Sequence, residues 1–123
     1  PSQRGTFVVT DNSLSMQPWI EALRNAMSLI LAGARANPQM MERIHLHLML
    51  CNSTVTTAYS GRLTEMPDEE VEVKLGPCTH MGKWFRATMA AIREYLEACY
   101  ESNIAVRRVV VIVLTDGNPT GDQ

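Results

Sequence analysis

The stretch FVVTDNSLSM, from Phe7 to Met16, joins an apolar run to three small oxygen-bearing side chains. Phenylalanine and two valines without polar alternation are typical of a strand buried on both faces, as in a parallel sheet. We expect this strand to run from Thr6 to Thr10. Asp11, Ser13 and Ser15 follow at alternate positions, a spacing that lets a loop aim several oxygens at one point.

Helical and strand patterns alternate along the rest of the chain. An amphipathic helix is predicted at residues 17–38, a pair of strands forming a hairpin at 43–50 and 54–60, and a second long helix at 79–101. The last apolar run, from Val109 to Leu114, is typical of a buried central strand. The order β-α-β-β-α-β predicts an α/β fold, a Rossmann-like, mainly parallel sheet flanked by helices.

The composition is that of one domain with a core of its own. The chain has 123 residues, of which 46% are hydrophobic and 20% charged, with a net charge of -2. Lysine and arginine are scattered, so no nucleic-acid surface is expected. No apolar stretch approaches the roughly 18 residues that span a bilayer. An odd number of cysteines and a polar beginning, PSQRGT, favour a reducing compartment, with cytoplasm as the default.

Two acids come directly after apolar strands, Asp11 in VVTD and Asp116 in VLTD. Ligand sites of open α/β sheets lie outside the carboxyl ends of the strands. If the first and last strands are neighbours, Asp11, Ser13, Ser15 and Asp116 meet at one place. Carboxylate and hydroxyl oxygens are hard ligands that suit Mg²⁺, with Mn²⁺ or Ca²⁺ as alternatives, better than zinc.

The segment DNSLSM resembles the D-x-S-x-S signature of the von Willebrand factor type A domain, the integrin I-like fold. GPCTHMG around Thr79 is similar to the G-x-x-T-x-x-G loop of that family, and VIVLTDGNPT around Asp116 to its fourth-strand motif. The resemblance implies a metal ion-dependent adhesion site (MIDAS). Its five residues here are Asp11, Ser13, Ser15, Thr79 and Asp116.

The resemblance also implies a function, metal-dependent protein binding for adhesion or scaffolding. An acidic side chain of the protein ligand would complete the metal shell. Ser13, Ser15 and Thr79 would be direct ligands, while Asp11 and Asp116 would hold the ion directly or through water. The motifs are most similar in style to bacterial tellurite-resistance and stress-response members.

A complete domain of this family has the sheet order 3-2-1-4-5-6, with two more strands and helices after the fourth strand. Residues 1–123 are therefore expected to form one such domain without those last elements. In that case the strand from Val109 to Leu114 becomes an edge, and two copies of the chain could pair through it as a homo-oligomer.

Two other functions are weighed against this one. A Mg²⁺-dependent phosphohydrolase of the haloacid dehalogenase type also begins with an acid after its first strand, but Ser13 stands where its second Asp would be. We find no nucleophile–base pair, so catalysis is not expected. A purely structural or oligomerising fragment would use Ser15 and Thr79 as helix caps only.

Two further groups of side chains are assigned to packing. His45 and His47 share one strand face, which we expect to pack under a helix or to be partly exposed rather than to bind a metal. Trp84 and Phe85 are expected in the core. The predicted apolar face of the second long helix consists of Met81, Trp84, Phe85, Thr88, Met89, Ile92, Leu96 and Cys99.

Overall fold

The computed structural model describes residues 2–66 and 81–115, a four-stranded sheet with helices on both faces. In chain order the elements are β1 (Ser2–Asp11), a 3₁₀ helix (Leu14–Trp19), α1 (Ile20–Arg35), α2 (Pro38–Met41), β2 (Ile44–Cys51), β3 (Val55–Arg62), a second 3₁₀ helix (Leu63–Glu65), α3 (Met81–Glu101) and β4 (Ala105–Leu114). The predicted α/β class, with its mainly parallel sheet flanked by helices, is confirmed.

The strands lie in the order β3-β2-β1-β4. β1 pairs in parallel with both β2 and β4, and β2 pairs with β3 as an antiparallel hairpin. The expectation that the first and last strands are neighbours is therefore confirmed. Because β1, β2 and β4 point the same way, the residues that follow them emerge at one edge of the sheet.

Both faces of β1 are buried, and alternate residues supply the two faces. Val8 packs with Leu23 and Met27 of α1 on one side of the sheet. Phe7 packs with Tyr95 of α3 on the other side. This burial on both faces explains why the run Phe7, Val8 and Val9 shows no polar alternation.

β4 forms an edge of the described sheet, so its prediction as a buried central strand is wrong. Val110, Val111 and Val113 are 37%, 43% and 39% exposed. The apolar run has the composition of a central strand, but composition alone does not determine whether a strand pairs with one other strand or with two. The edge position that the family resemblance implied is the one observed among the described strands.

The long helix α3 contacts the sheet through a narrow stripe. Its buried side chains are Trp84, Thr88, Tyr95 and Cys99. Phe85 is 56% exposed, so its predicted place in the core is wrong. One residue along a helix is a rotation of about 100°, which turns Phe85 away from the face that Trp84 occupies. Within the described ranges, no helix combines the length and the apolarity needed to cross a membrane.

The histidine face of β2 packs under α3, as expected. The ring of His45 stacks on that of Tyr95 at a centroid distance of 4.4 Å, and His47 stacks on Phe7 at 5.2 Å. Gly5 makes room for this layer, because a Cβ there would lie 2.6 Å from the Tyr95 ring.

The packed histidines predict a loss of stability in mild acid. Burial, and then the charge of His47, lowers the pKa of His45; burial also lowers the pKa of His47, against the opposing effect of Glu94. The two histidines thus bind protons less tightly in the folded chain than in the unfolded chain. The stability that the neutral rings contribute is fully present above the ordinary pKa of 6.5. It is lost as the pH falls through the lowered values.

Urea unfolding should therefore have a lower midpoint at about pH 5.5 than at about pH 7.5. The His45→Gln variant should show a smaller difference between the two midpoints, because one of the two titrating rings is gone. An undiminished difference in that variant would mean that the acid sensitivity arises elsewhere.

Candidate metal centre

β1 ends in a run of buried polar residues. Thr10, Asp11, Asn12 and Ser13 are each at most 1% exposed. The backbone nitrogen of Asn12 donates to the backbone carbonyl oxygen of Cys51 at 2.6 Å. The Thr10 hydroxyl donates to the carbonyl oxygen of Met49 at 2.9 Å. Buried polar groups need such partners. These bonds continue the pairing with β2 beyond the end of β1 and hold the loop in place.

The carboxylate of Asp11 is the centre of this run. Its Oδ1 accepts hydrogen bonds from the backbone nitrogen of Ser13 at 3.0 Å and from the Ser13 hydroxyl at 2.6 Å. Its Oδ2 accepts from the hydroxyl of Thr115 at 2.6 Å. Asp11 is 0% exposed. The loop after β1 and the residue after β4 therefore meet on one carboxylate.

The described hydrogen-bond partners of the Asp11 carboxylate, Ser13 and Thr115, are neutral. A buried charge is costly unless it is paired, hydrogen-bonded or bound to a metal. Within residues 2–66 and 81–115 the one ion pair joins Arg24 to Glu21 on the exposed side of α1, so no described cation neutralises Asp11. Burial and the nearby Asp11 carboxylate raise the pKa of the Cys51 thiol to about 12. A buried carboxylate with no described cationic partner favours an added positive charge.

The donor set fits a hard divalent cation. One carboxylate and the hydroxyls of Ser13 and Thr115 lie together, and oxygen ligands of this kind suit Mg²⁺. No group of three or more His, Cys, Asp or Glu side chains gathers anywhere in the described part of the chain. Zinc, which prefers nitrogen and sulfur ligands, is the poorer fit to these atoms.

Of the five predicted ligands, the structure brings Asp11 and Ser13 into direct contact. The backbone of Ser15 lies in the first 3₁₀ helix, but its side chain is outside the described part. Thr79 and Asp116 lie outside the described residues. Their place in the site stays a prediction.

Thr115 is a residue of the site that the sequence reasoning missed. It precedes Asp116 in the chain and donates to Asp11. The signal was present, because VVTD and VLTD repeat the same Thr-Asp pair at two strand ends. In the observed register Thr10 pairs with Leu114, so a stagger of one residue between the two motifs places Thr115 beside Asp11 rather than beside Thr10.

Comparison with known proteins gives one structural likeness. The crystal structure of the ArnB paralog VWA2 from Sulfolobus acidocaldarius matches 100% of this chain at 25% sequence identity, with a TM-score of 0.49. This chain spans 30% of the length of that protein. No protein-family model and no curated protein matches the sequence.

Proposed function

We propose that this chain is a von Willebrand factor A-like module that binds Mg²⁺ and, through it, an acidic side chain of a partner protein. The observation that supports this most is the buried Asp11 carboxylate, which accepts hydrogen bonds from Ser13 and Thr115 at the carboxyl edge of the sheet. The hydroxyls of Ser13, Ser15 and Thr79 would hold the ion. Asp11 and Asp116 would bind it directly or through water.

The proposed ligand set explains why the partner should be acidic. Two carboxylates balance the charge of a divalent ion, and the hydroxyls add none. Three hydroxyls and two carboxylates acting partly through water leave room for one more strong oxygen ligand, and a bound Mg²⁺ attracts an anionic one. A carboxylate from outside would fill that place.

An apolar rim beside the site supports a protein as the partner. Leu14 directly follows Ser13 and is 54% exposed, and Trp19, five residues further along the same 3₁₀ helix, is 55% exposed. Large exposed apolar side chains next to a polar centre are typical of interfaces, where tryptophan often contributes most of the binding energy. We infer that the partner contacts this helix while its acid reaches the metal.

A Mg²⁺ titration followed by thermal unfolding tests the proposal. A ligand that binds only the folded chain at one hundred times its dissociation constant adds about 2.7 kcal/mol of stability. The Ser13→Ala variant should need at least about tenfold more Mg²⁺ for the same gain, because it loses one ligand and one hydrogen bond to Asp11. Glu97→Gln removes an exposed acid on α3 and should respond like the unmodified chain.

The same titration has clear contrary outcomes. No stabilisation by Mg²⁺, Mn²⁺ or Ca²⁺ would contradict the metal site. Stabilisation that is lost equally in Glu97→Gln would indicate general charge screening. Turnover of a generic phosphate ester in Mg²⁺ would favour the phosphohydrolase instead. A glutamate-containing peptide that binds equally well in EDTA would contradict the role of the metal in partner binding.

A further inference from the structure

Arginines that are far apart in the sequence lie near one edge of the folded sheet. At the amino edge of β1, β2 and β4, where the antiparallel β3 ends, lies an open groove of about 930 Å³ lined by Arg43 and Arg62 among others. An adjoining pocket of about 120 Å³ is lined by Arg4, Arg43 and Arg107. This edge is the opposite end of β1 from Asp11, roughly 30 Å away along a ten-residue strand.

The positive charge of this edge has little compensation. Glu42 is the one acid among the described residues that line the groove and the adjoining pocket. No ion pair joins any of the four arginines to a described acid. The amide nitrogen of Arg4 donates to the carbonyl oxygen of Arg43 at 2.8 Å, which keeps the two backbones together. A bound oxyanion would supply the negative charge that the described lining lacks apart from Glu42.

We propose that this arginine groove binds a small molecule that carries two or more phosphoryl groups. The guanidinium group is a planar fork that matches phosphate oxygens with two parallel hydrogen bonds. Arg43 borders both the groove and the pocket, so phosphoryl groups in the two spaces would share it. The hydroxyls of Ser2 and Thr64 add polar contacts, and Ile104 supplies an apolar wall.

The shape and lining of the groove favour a small molecule over a nucleic acid. The volume of the groove falls in the range of small-molecule sites, roughly 300–1,000 Å³. Its described lining contains no aromatic side chain on which a base could stack. The whole chain has a net charge of -2, and Glu42 stands inside the groove. A long polyanion would extend beyond the groove over a chain of net negative charge, whereas a compact ligand would stay within the groove.

Calorimetric titration with inorganic pyrophosphate in EDTA-containing buffer of low ionic strength tests the proposal. We expect saturable binding that weakens at least about tenfold in Arg43→Ala, because one bidentate contact is lost. Arg62→Ala is a second variant at the same site. Arg93→Ala, an exposed arginine on α3, is the matched control and should bind as tightly as the unmodified chain.

The two sites can be separated in this experiment. The Asp11→Asn variant should bind pyrophosphate normally, since the groove lies at the other end of the sheet and EDTA removes metal. The proposal would be overturned if pyrophosphate did not bind. It would also be overturned if pyrophosphate bound the Arg43→Ala and Arg62→Ala variants as tightly as the unmodified chain. A single-stranded oligonucleotide that binds in an Arg43-dependent way more than about a hundredfold tighter than pyrophosphate would overturn it as well.

Discussion

The Asp11→Asn variant is expected to be insensitive to Mg²⁺ and, in metal-free buffer, at least as stable as the unmodified chain. The carboxylate of Asp11 is fully buried, and its partners Ser13 and Thr115 are neutral. An asparagine oxygen can still accept from Ser13, and its amide group can donate to the Thr115 hydroxyl. The substitution therefore removes a buried charge while keeping the hydrogen bonds, which favours the metal-free folded state.

Addition of Mg²⁺ should reverse the order of stability. At one hundred times its dissociation constant, the ion should make the unmodified chain about 2.7 kcal/mol more stable and leave Asp11→Asn unchanged. The crossing of the two stabilities is measured by urea unfolding in EDTA and in excess Mg²⁺. Such a reversal would indicate that Asp11 serves metal binding. If Asp11 served packing alone, the variant would be less stable than the unmodified chain in both buffers.

The Asp11→Ala variant separates the hydrogen bonds from the charge. It leaves the Ser13 amide, the Ser13 hydroxyl and the Thr115 hydroxyl without their acceptor. It should be less stable than Asp11→Asn by about 1–3 kcal/mol in either buffer. A full response to Mg²⁺ in either variant would contradict the assignment of Asp11 to the metal, whatever the metal-free stabilities are.

The order of elements could be predicted from the sequence because each element has its own periodicity. Element ends were less accurate. The strand expected from Thr6 to Thr10 extends over Ser2–Asp11, since its polar start also pairs with β4 from Ser2 and with β2 from Arg4. At residue 17, where a helix was predicted to begin, the chain is still in the 3₁₀ helix Leu14–Trp19, which contains Pro18. The α-helix α1 begins at Ile20.

The candidate site was predictable where chemistry and spacing coincide within a few residues. Asp11 and Ser13 are two positions apart, and their contact follows from a local turn. Thr115 reaches Asp11 across 104 positions, so its role depends on the pairing of β1 with β4 rather than on any local pattern. The arginines of the groove and its adjoining pocket also depend on strand pairing, because they come from β1, the residue before β2, the end of β3 and β4.

The Trp84→Ala variant is expected to lose about 3–5 kcal/mol of stability, a large part of what a domain of this size has. Trp84 is 2% exposed and packs against Val9, Met49 and Cys51. Its ring nitrogen donates to the carbonyl oxygen of Asn52 at 2.9 Å. Alanine would leave both a large cavity and a partly buried carbonyl without its partner, and urea unfolding monitored by circular dichroism measures the cost.

Phe85 provides the matched control, since it is the next residue on α3 and is 56% exposed. Phe85→Ala should cost less than about 1 kcal/mol, and equal costs at the two positions would contradict the observed rotation of the helix. Trp84→Phe should lie between them, because it keeps a ring but not the donor to Asn52. Since Asn12 donates to Cys51, which precedes Asn52, a loosened α3 should also weaken the Mg²⁺ response of the Asp11 site.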